Sequence, residues 1–403
     1  MIKLIQEYFV YNVFNFIDKL FLFLLPLILL KYIGEVKVYN AVEYIFSISA
    51  IVVIFLDIGM KNFLFYKFKI EKNTKNILEV IENNFIFYYF FFNLFIFCFY
   101  FLIQFLLNIE NVLIYFIIVK SLYLTLINFY KILFRAKNTP TKIFYFSILN
   151  SLLSILFIII NFKFFNFSTI LVFFFSQILF IIFFISLKFN VILKNLDIKK
   201  IISKIHFYKE SFLFTFPLMI SICLYNFCIN YGKIYSFNYL NEMEMSFIAF
   251  VQRIFLFLTF FHASFVSFFQ KKIYDDDDNL ISKKRFLSYI FLILFINFFI
   301  ILFFDNLSLF FKIKIVDLFL VYLLSLHTII WCISSYLDMY LTKNNKNYSI
   351  MKYQIISVSF FIIFMFLLKK VFLITYAVSL LISSIAYMLL IIIKLNKMRF
   401  IFK

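Results

Sequence analysis

Long apolar runs, separated by short charged or asparagine-rich segments, follow one another along the whole chain. Twelve of these runs have about 20 residues, the length that an α-helix needs to cross a bilayer core. They cover 6–31, 40–60, 84–107, 111–132, 143–161, 167–187, 211–239, 246–269, 286–304, 316–341, 350–368 and 371–393. No connecting segment is long enough for a soluble domain. The pattern therefore predicts an all-α polytopic membrane protein with about twelve transmembrane helices.

The composition agrees with this pattern and excludes other classes of protein. Hydrophobic residues make up 65% of the 403 residues, and the mean hydropathy is +1.02, whereas a soluble domain is nearer half apolar. Only 3 Gly and 3 Pro interrupt the chain, which favours spanning helices over barrel strands. The 4 Cys fall inside apolar runs without metal-ligand spacing, so neither a metal site nor a cofactor is expected.

The net charge of +19 reports orientation in the membrane rather than binding of nucleic acid. With the N-terminus in the cytoplasm, every predicted cytoplasmic loop carries at least three Lys or Arg and no outer loop more than two. Cytoplasmic loops of membrane proteins are enriched in these residues. The alternation predicts both termini in the cytoplasm, beside anionic membrane lipids.

A few charged residues remain inside the predicted spans, where an ionisable group usually faces a bundle interior or an aqueous cavity. The cations are Lys19, Lys120, Lys233 and Arg253, and the acids are Asp18, Glu43, Asp57 and Asp338.

Two of the spans carry similar polar faces. The first reads Tyr11-Asn12 and reaches Lys19, and the seventh reads Tyr225-Asn226 and reaches Lys233 at the same spacing. Chance in a chain rich in Asn, Tyr and Lys is the alternative explanation. The echo favours two six-helix halves, 1–210 and 211–403, around a central cavity, which is a common plan of secondary transporters.

If the two polar faces converge, they predict a cationic cavity for an anionic head group. Arg offers a fork for phosphate and Lys a point charge. Lys120 has local ion pairing or snorkelling as an alternative, and the acids have hydrogen bonding between helices. No catalytic residue is predicted. The candidates are Lys19, Lys233, Arg253 and Lys120 for binding, Asn12, Asn15, Asn226 and Asn230 for support, and Asp18, Glu43 and Asp57 for ion coupling. Asp338, His262 and His327 are expected to be structural.

Several segments resemble the bacterial polysaccharide-repeat (O-antigen type) flippases of the multidrug/oligosaccharidyl-lipid/polysaccharide exporter superfamily. Asp57-Ile58-Gly59 is similar to that family's aspartate-x-glycine at the inner end of helix two. The segment 134–138 resembles its basic stretch after helix four. The segment 210–217, Lys233 and 252–254 resemble its helices seven and eight.

The resemblance implies alternating access by two six-helix bundles and a cargo of undecaprenyl-pyrophosphate-linked oligosaccharide. It also implies a place in the bacterial inner membrane, a role in O-antigen and lipopolysaccharide or other surface polysaccharide synthesis, and no enzymatic activity. Membrane lipids and polysaccharide polymerase or assembly proteins are the expected partners, nucleic acid is not expected, and the chain is expected to be a monomer.

Two other functions remain open. A multidrug or cation antiporter of the same superfamily is expected to have an acidic cavity. A membrane polysaccharide polymerase usually carries a large outer loop with catalytic residues, whereas the outer loop 240–246 here is very short.

Overall fold

The residues that the computed structural model describes lie almost entirely in helices. These residues are 2–33, 36–57, 82, 85, 89, 111–136, 142–164, 169–195, 205–275, 280–368, 371–398 and 401–402. The first helices are α1 (Ile2–Ile28), α2 (Val36–Asp57), α3 (Asn111–Ala136), α4 (Lys142–Phe164) and α5 (Thr169–Asn195). They are followed by α6 (Ile205–Tyr239), α7 (Glu242–Asp275), α8 (Lys283–Leu302), α9 (Phe304–Phe310), α10 (Leu318–Lys343), α11 (Asn347–Leu367) and α12 (Phe372–Lys397).

The predicted polytopic all-α architecture is confirmed. Eleven of the twelve predicted spans coincide with long helices, and the third, 84–107, lies outside the described residues apart from Phe85 and Tyr89. Over the described ranges, nine helices are long and apolar enough to cross a membrane, namely α2, α3, α5 to α8 and α10 to α12. Helix α4 adds a shorter apolar stretch, Ser147–Asn161.

Three local features differ from uninterrupted spans. Helix α1 contains Pro26 and continues as a π-helical turn, Leu29–Ile33. The short helix α9 lies between α8 and α10. Two-residue strands, β1 (Leu280–Ile281) and β2 (Ile401–Phe402), pair in parallel. Proline cannot donate the backbone hydrogen bond of a regular turn, so the π-helical turn just after Pro26 has a local cause.

Side chains set the ends of some helices. The Asn241 side chain accepts a hydrogen bond from the Glu244 N–H at 2.8 Å at the start of α7, and Asp317 does the same for Phe319 before α10. Asn and Asp are preferred at these positions because the first N–H groups of a helix have no partner within it. Between α10 and α11, Asn345 adopts a left-handed conformation, which Asn tolerates better than most residues.

The chain divides into two compact units. One comprises Met1–Leu25 and Ala41–Met219, and the other comprises Pro26–Asn40 and Ile220–Lys403. The N-terminal unit therefore contains most of α1 and α2 together with α3 to α5. The C-terminal unit takes in the short segment that joins α1 to α2.

The core of the N-terminal unit is aromatic. The rings of Phe85 and Phe129 stack with their centroids 3.5 Å apart, and Tyr130 meets both rings edge-on. Small polar residues join α4 to α5, where the Ser154 and Ser176 hydroxyls lie 2.5 Å apart. Close approach through serines is typical of helix packing in membranes.

In the C-terminal unit, α12 packs against both α10 and α11. The Ser357 hydroxyl of α11 donates to the Ser383 carbonyl of α12 at 2.8 Å. Helix α8 presents Phe291 and Phe298 outward, with 70% and 61% of their surface exposed. An exposed aromatic face of this kind suits contact with lipid rather than water.

Candidate functional site

Lys120 is buried in the interior of the N-terminal unit. Only 2% of its surface is exposed, although an ammonium group is costly to bury in an apolar environment. Its Nζ lies 4.1 Å from the centroid of the Phe46 ring and 5.6 Å from that of Tyr123. Aromatic faces attract cations within about 6 Å, so two rings from α2 and α3 help to stabilise this charge.

Two of the predicted acids are buried in the same unit. Asp18 in α1 and Glu43 in α2 have no exposed surface. The Asp18 carboxylate of α1 lies within electrostatic range of the Tyr123 phenol of α3. The Ser47 hydroxyl donates to the Glu43 backbone carbonyl at 2.8 Å and is thereby satisfied within α2. The unit thus buries a cation and two acids inside its helices.

The remaining candidates of this unit are less well defined. Lys19 is half-buried beside Asp18 in α1. Asn12 and Asn15 lie on the same helix and Asp57 ends α2, but their side chains are outside the described part of the structure. Their proposed roles stay predictions.

The C-terminal unit buries the two other predicted cations. Lys233 in α6 is 6% exposed and Arg253 in α7 is 3% exposed. The two helices are joined by the short turn at Leu240 and Asn241, and no soluble domain intervenes. Each cation therefore lies inside a helix of membrane-spanning length, as the sequence predicts.

Residues close to these two cations in the sequence form a group of hydrogen bonds. Ile229 lies four positions before Lys233, and Gln252 directly precedes Arg253. The Tyr376 hydroxyl of α12 donates to the Ile229 carbonyl at 2.5 Å. The Gln252 Nε2 donates to the same carbonyl and to the Tyr376 hydroxyl, at 2.8 Å in each case. These bonds connect α6, α7 and α12.

The two asparagines of α6 form hydrogen bonds within their own helix. Asn226 Nδ2 donates to the Ile222 carbonyl and Asn230 Nδ2 donates to the Asn226 carbonyl, both at 2.9 Å. The other polar atom of each side chain is an oxygen, which accepts hydrogen bonds. Such oxygens suit a sugar hydroxyl better than a phosphate oxygen.

A buried polar seam on α10 was not predicted as a functional feature. His327, Trp331, Ser334 and Asp338 recur at helical spacing along one face. His327 hydrogen-bonds Ser384, and the Tyr387 hydroxyl donates to Asp338 Oδ2 at 2.8 Å.

The seam borders a small cavity. Tyr225, His327, Gln354 and Ser357 are among its lining residues. This seam had a signal in the sequence, because a His, a Ser and an Asp recur at helical spacing within an apolar run.

Aromatic and histidine side chains of this unit contact one another. The Tyr225 and Trp331 rings stack with centroids 5.2 Å apart, and His262 Nδ1 lies 2.5 Å from the Tyr289 hydroxyl. Within the described ranges, no three His, Cys, Asp or Glu side chains are grouped so that they could hold a metal ion.

The fold is similar to that of two solved membrane proteins. A multidrug resistance MATE family transporter of the MOP superfamily, in an inward-facing conformation, has a TM-score of 0.61 and 12% identity, over 96% of this chain and 95% of that one. The lipid II flippase MurJ, in an inward closed conformation, has a TM-score of 0.59 and 17% identity, over 98% of this chain and 88% of that one. No protein-family model and no curated protein matches the sequence. The chain therefore has the fold of these membrane transporters.

Proposed function

We propose that the protein is a flippase for undecaprenyl-pyrophosphate-linked oligosaccharide repeat units. It moves them across the bacterial inner membrane by alternating access, for O-antigen or another surface polysaccharide. The observation that supports this most is the burial of Lys233 and Arg253 inside spanning helices of a chain with a transporter fold. The protein carries its substrate without chemical change and acts as a monomer.

Buried cations suit an anionic head group. An ionisable residue at mid-membrane costs at least about 2.5–3.5 kcal/mol on insertion scales. A site that binds a pyrophosphate offsets this cost when the substrate is present, because Arg and Lys both bind phosphate oxygens through charge-assisted hydrogen bonds. Lys120 and Lys19 are proposed to contribute further cations from the N-terminal unit, and Asp18, Glu43 and Asp57 to couple transport to an ion.

The oxygens of Asn226 and Asn230 fit the oligosaccharide part of the same substrate. Each amide nitrogen already donates to the helix, so an oxygen remains to accept a hydrogen bond from a sugar hydroxyl. The predicted polar face of α6 would then bind sugar through Asn and phosphate through Lys233.

Export of organic cations is a second candidate function. It is favoured by the two fully buried acids, Asp18 and Glu43, and by the similarity to a multidrug transporter. A cation exporter needs its acids and can lose Lys233 and Arg253, whereas the flippase needs the two cations. Substitution of Lys233 and Arg253 therefore separates the two functions.

The test is complementation of a strain in which the gene is deleted. Deletion is expected to remove surface polysaccharide and to cause lipid-linked repeat units to accumulate inside. Wild-type protein restores the polymer. The Lys233→Ala and Arg253→Ala variants lower restoration at least about tenfold, since each removes a charged hydrogen-bond donor.

Lys352→Ala is the matched control, because Lys352 is exposed on α11. It should complement as well as wild type at equal protein level. If both cation variants complement fully, the cationic site is wrong. If single repeat units still reach the surface of the deletion strain, the protein is a polymerase rather than a flippase.

A further inference from the structure

Gly232, Gln252 and Tyr376 form a group next to the helix turns that carry the two candidate cations. Lys233 follows Gly232 in α6, and Arg253 follows Gln252 in α7. Tyr376 is contributed by a third helix, α12, and is fully buried. One side chain from α12 thus contacts the helix turns that carry both candidate cations.

The Tyr376 hydroxyl is bound to the turn of Lys233. It donates to the Ile229 carbonyl, and in a regular α-helix that carbonyl also accepts from the N–H of the residue four positions later, Lys233. A buried hydrogen bond of this kind is stronger than one in water, because the local dielectric is low. The hydroxyl therefore restrains the backbone turn from which Lys233 projects.

The Gln252 amide links the same point to α7. Its Nε2 donates both to the Ile229 carbonyl and to the Tyr376 hydroxyl. The three groups form a closed triangle of hydrogen bonds. Arg253 is the next residue of α7, so its backbone is fixed relative to the turn of Lys233.

Glycine at position 232 allows this arrangement. A Cβ placed there would lie 2.6 Å from Cε1 of Tyr376 and 2.8 Å from Cδ1 of Ile248. Both distances are shorter than carbon atoms can approach without displacement. Aromatic neighbours also hold the ring, since Phe372 stacks on it and Phe361 meets it edge-on.

We infer that Tyr376, Gln252 and Gly232 are positioning residues that fix the backbones of Lys233 and Arg253 relative to each other, so that both cations bind one pyrophosphate. The inference rests on the proposed flippase function. It also predicts a selectivity. Two cations held at a fixed separation favour a diphosphate over a monophosphate, and this preference is smaller when the two cations move independently.

The experiment measures binding of inorganic pyrophosphate and of inorganic phosphate to the purified full-length protein by calorimetry. Tyr376→Phe keeps the ring and removes only the hydroxyl. It should raise the Kd for pyrophosphate about tenfold and reduce the preference over phosphate. The melting temperature should stay close to that of the control, Tyr340→Phe, which removes the hydroxyl of another buried tyrosine in α10.

A double variant tests whether the triangle acts as one unit. Gln252→Leu should weaken pyrophosphate binding similarly, and Tyr376→Phe combined with Gln252→Leu should be little worse than either alone. Gly232→Ala should weaken binding as well, because the added methyl group displaces the Tyr376 ring.

Equal pyrophosphate affinity in wild type and Tyr376→Phe would overturn the positioning role and leave the flippase proposal intact. An equal loss in Tyr340→Phe would overturn it too, since the effect would then be general. If wild type does not bind pyrophosphate, the inference is overturned. If Lys233→Ala also complements the deletion strain, the proposed function fails with it.

Discussion

At the scale of single residues, the buried charges are the features that distinguish this chain from any other apolar bundle. The sequence predicted charges inside the spans, and Asp18, Glu43, Lys120, Lys233 and Arg253 are indeed buried in helices. Their surroundings could not be predicted, because Phe46 reaches Lys120, and Tyr376 reaches the helix turn of Lys233, from other helices. Periodicity along one helix identifies a polar face but carries no information about the side chains opposite it.

Removal of the ring beside Lys120 should destabilise the protein. Phe46→Leu replaces the aromatic face 4.1 Å from Nζ by an aliphatic chain and leaves the ammonium buried. A desolvated cation–π contact contributes about 2 kcal/mol, so we expect a loss of that order in the free energy of unfolding. Thermal unfolding in detergent measures it.

Phe366→Leu is the control for this substitution, since Phe366 is 79% exposed on α11. It should change the free energy of unfolding by less than about 0.5 kcal/mol. Equal effects of the two substitutions would show that the ring stabilises nothing beyond its own packing.

The contact between Tyr387 and Asp338 gives a second prediction at this scale. Tyr387→Phe removes the hydroxyl that donates to Asp338 Oδ2 and leaves a buried acceptor with one partner fewer. The expected cost is about 1–3 kcal/mol in the free energy of unfolding. The same thermal unfolding measurement applies.

The double variant Asp338→Asn with Tyr387→Phe should recover part of that loss, because a neutral amide is less costly to bury than a carboxyl group that has lost its donor. A double variant with the summed cost of the two single ones would mean that the contact contributes little.

At the scale of elements, hydrophobic run length predicted the helices well. Membrane helices satisfy their backbone hydrogen bonds internally, so a long apolar run has few alternatives. The π-helical turn after Pro26, the short helix α9 and the pairing of β1 with β2 were not predicted. Each depends on a few residues and their tertiary neighbours, which leave no periodic pattern. The third predicted span lies largely outside the described residues, so that helix stays a prediction.

Proline lies close to two of the places where the chain passes between the compact units. The boundary within α1 falls between Leu25 and Pro26, and that within α6 falls between Met219 and Ile220, just after Pro217. Proline weakens a helix locally because it removes one backbone hydrogen bond. These positions are therefore candidate hinges.

Pro26→Ala should restore the missing backbone hydrogen bond and stiffen α1. We expect normal protein levels with polysaccharide restoration lowered several-fold, on the order of the effects that hinge substitutions have on turnover. Leu213→Ala, an exposed position of α6, is the control and should complement normally. Unchanged restoration by Pro26→Ala would exclude a hinge at this proline.

At the scale of the whole molecule, the charge pattern predicts the orientation of the chain in the membrane. Met243 begins α7 on the predicted outer side, and Lys346 lies between α10 and α11 on the predicted inner side, and both are exposed. In a background without native cysteines, Met243→Cys should react with an impermeant maleimide on intact inner membranes exposed from the periplasmic side. Lys346→Cys should react only after the membrane is permeabilised. The reverse pattern would invert the topology.

The fold of the whole molecule was predictable from the sequence, but its cargo was not. The two candidate functions proposed above have chemically opposite substrates, an organic cation and an anionic lipid. The decision between them depends on the measured effect of substituting the buried cations. Substrate specificity depends on a few side chains, whereas the fold depends on the apolar runs of the entire chain.

Translocation by the purified protein in liposomes is the direct test of the flippase function. Undecaprenyl-pyrophosphate-linked oligosaccharide is placed in the vesicles, and its appearance in the opposite leaflet is followed with an impermeant sugar-cleaving enzyme. We predict translocation by wild type and by Lys352→Ala, and loss of at least about tenfold when Lys233 and Arg253 are both replaced by Ala. Wild-type protein that moves the lipid no faster than empty liposomes do would rule out the flippase function. A double variant as fast as wild type would rule out the cationic site.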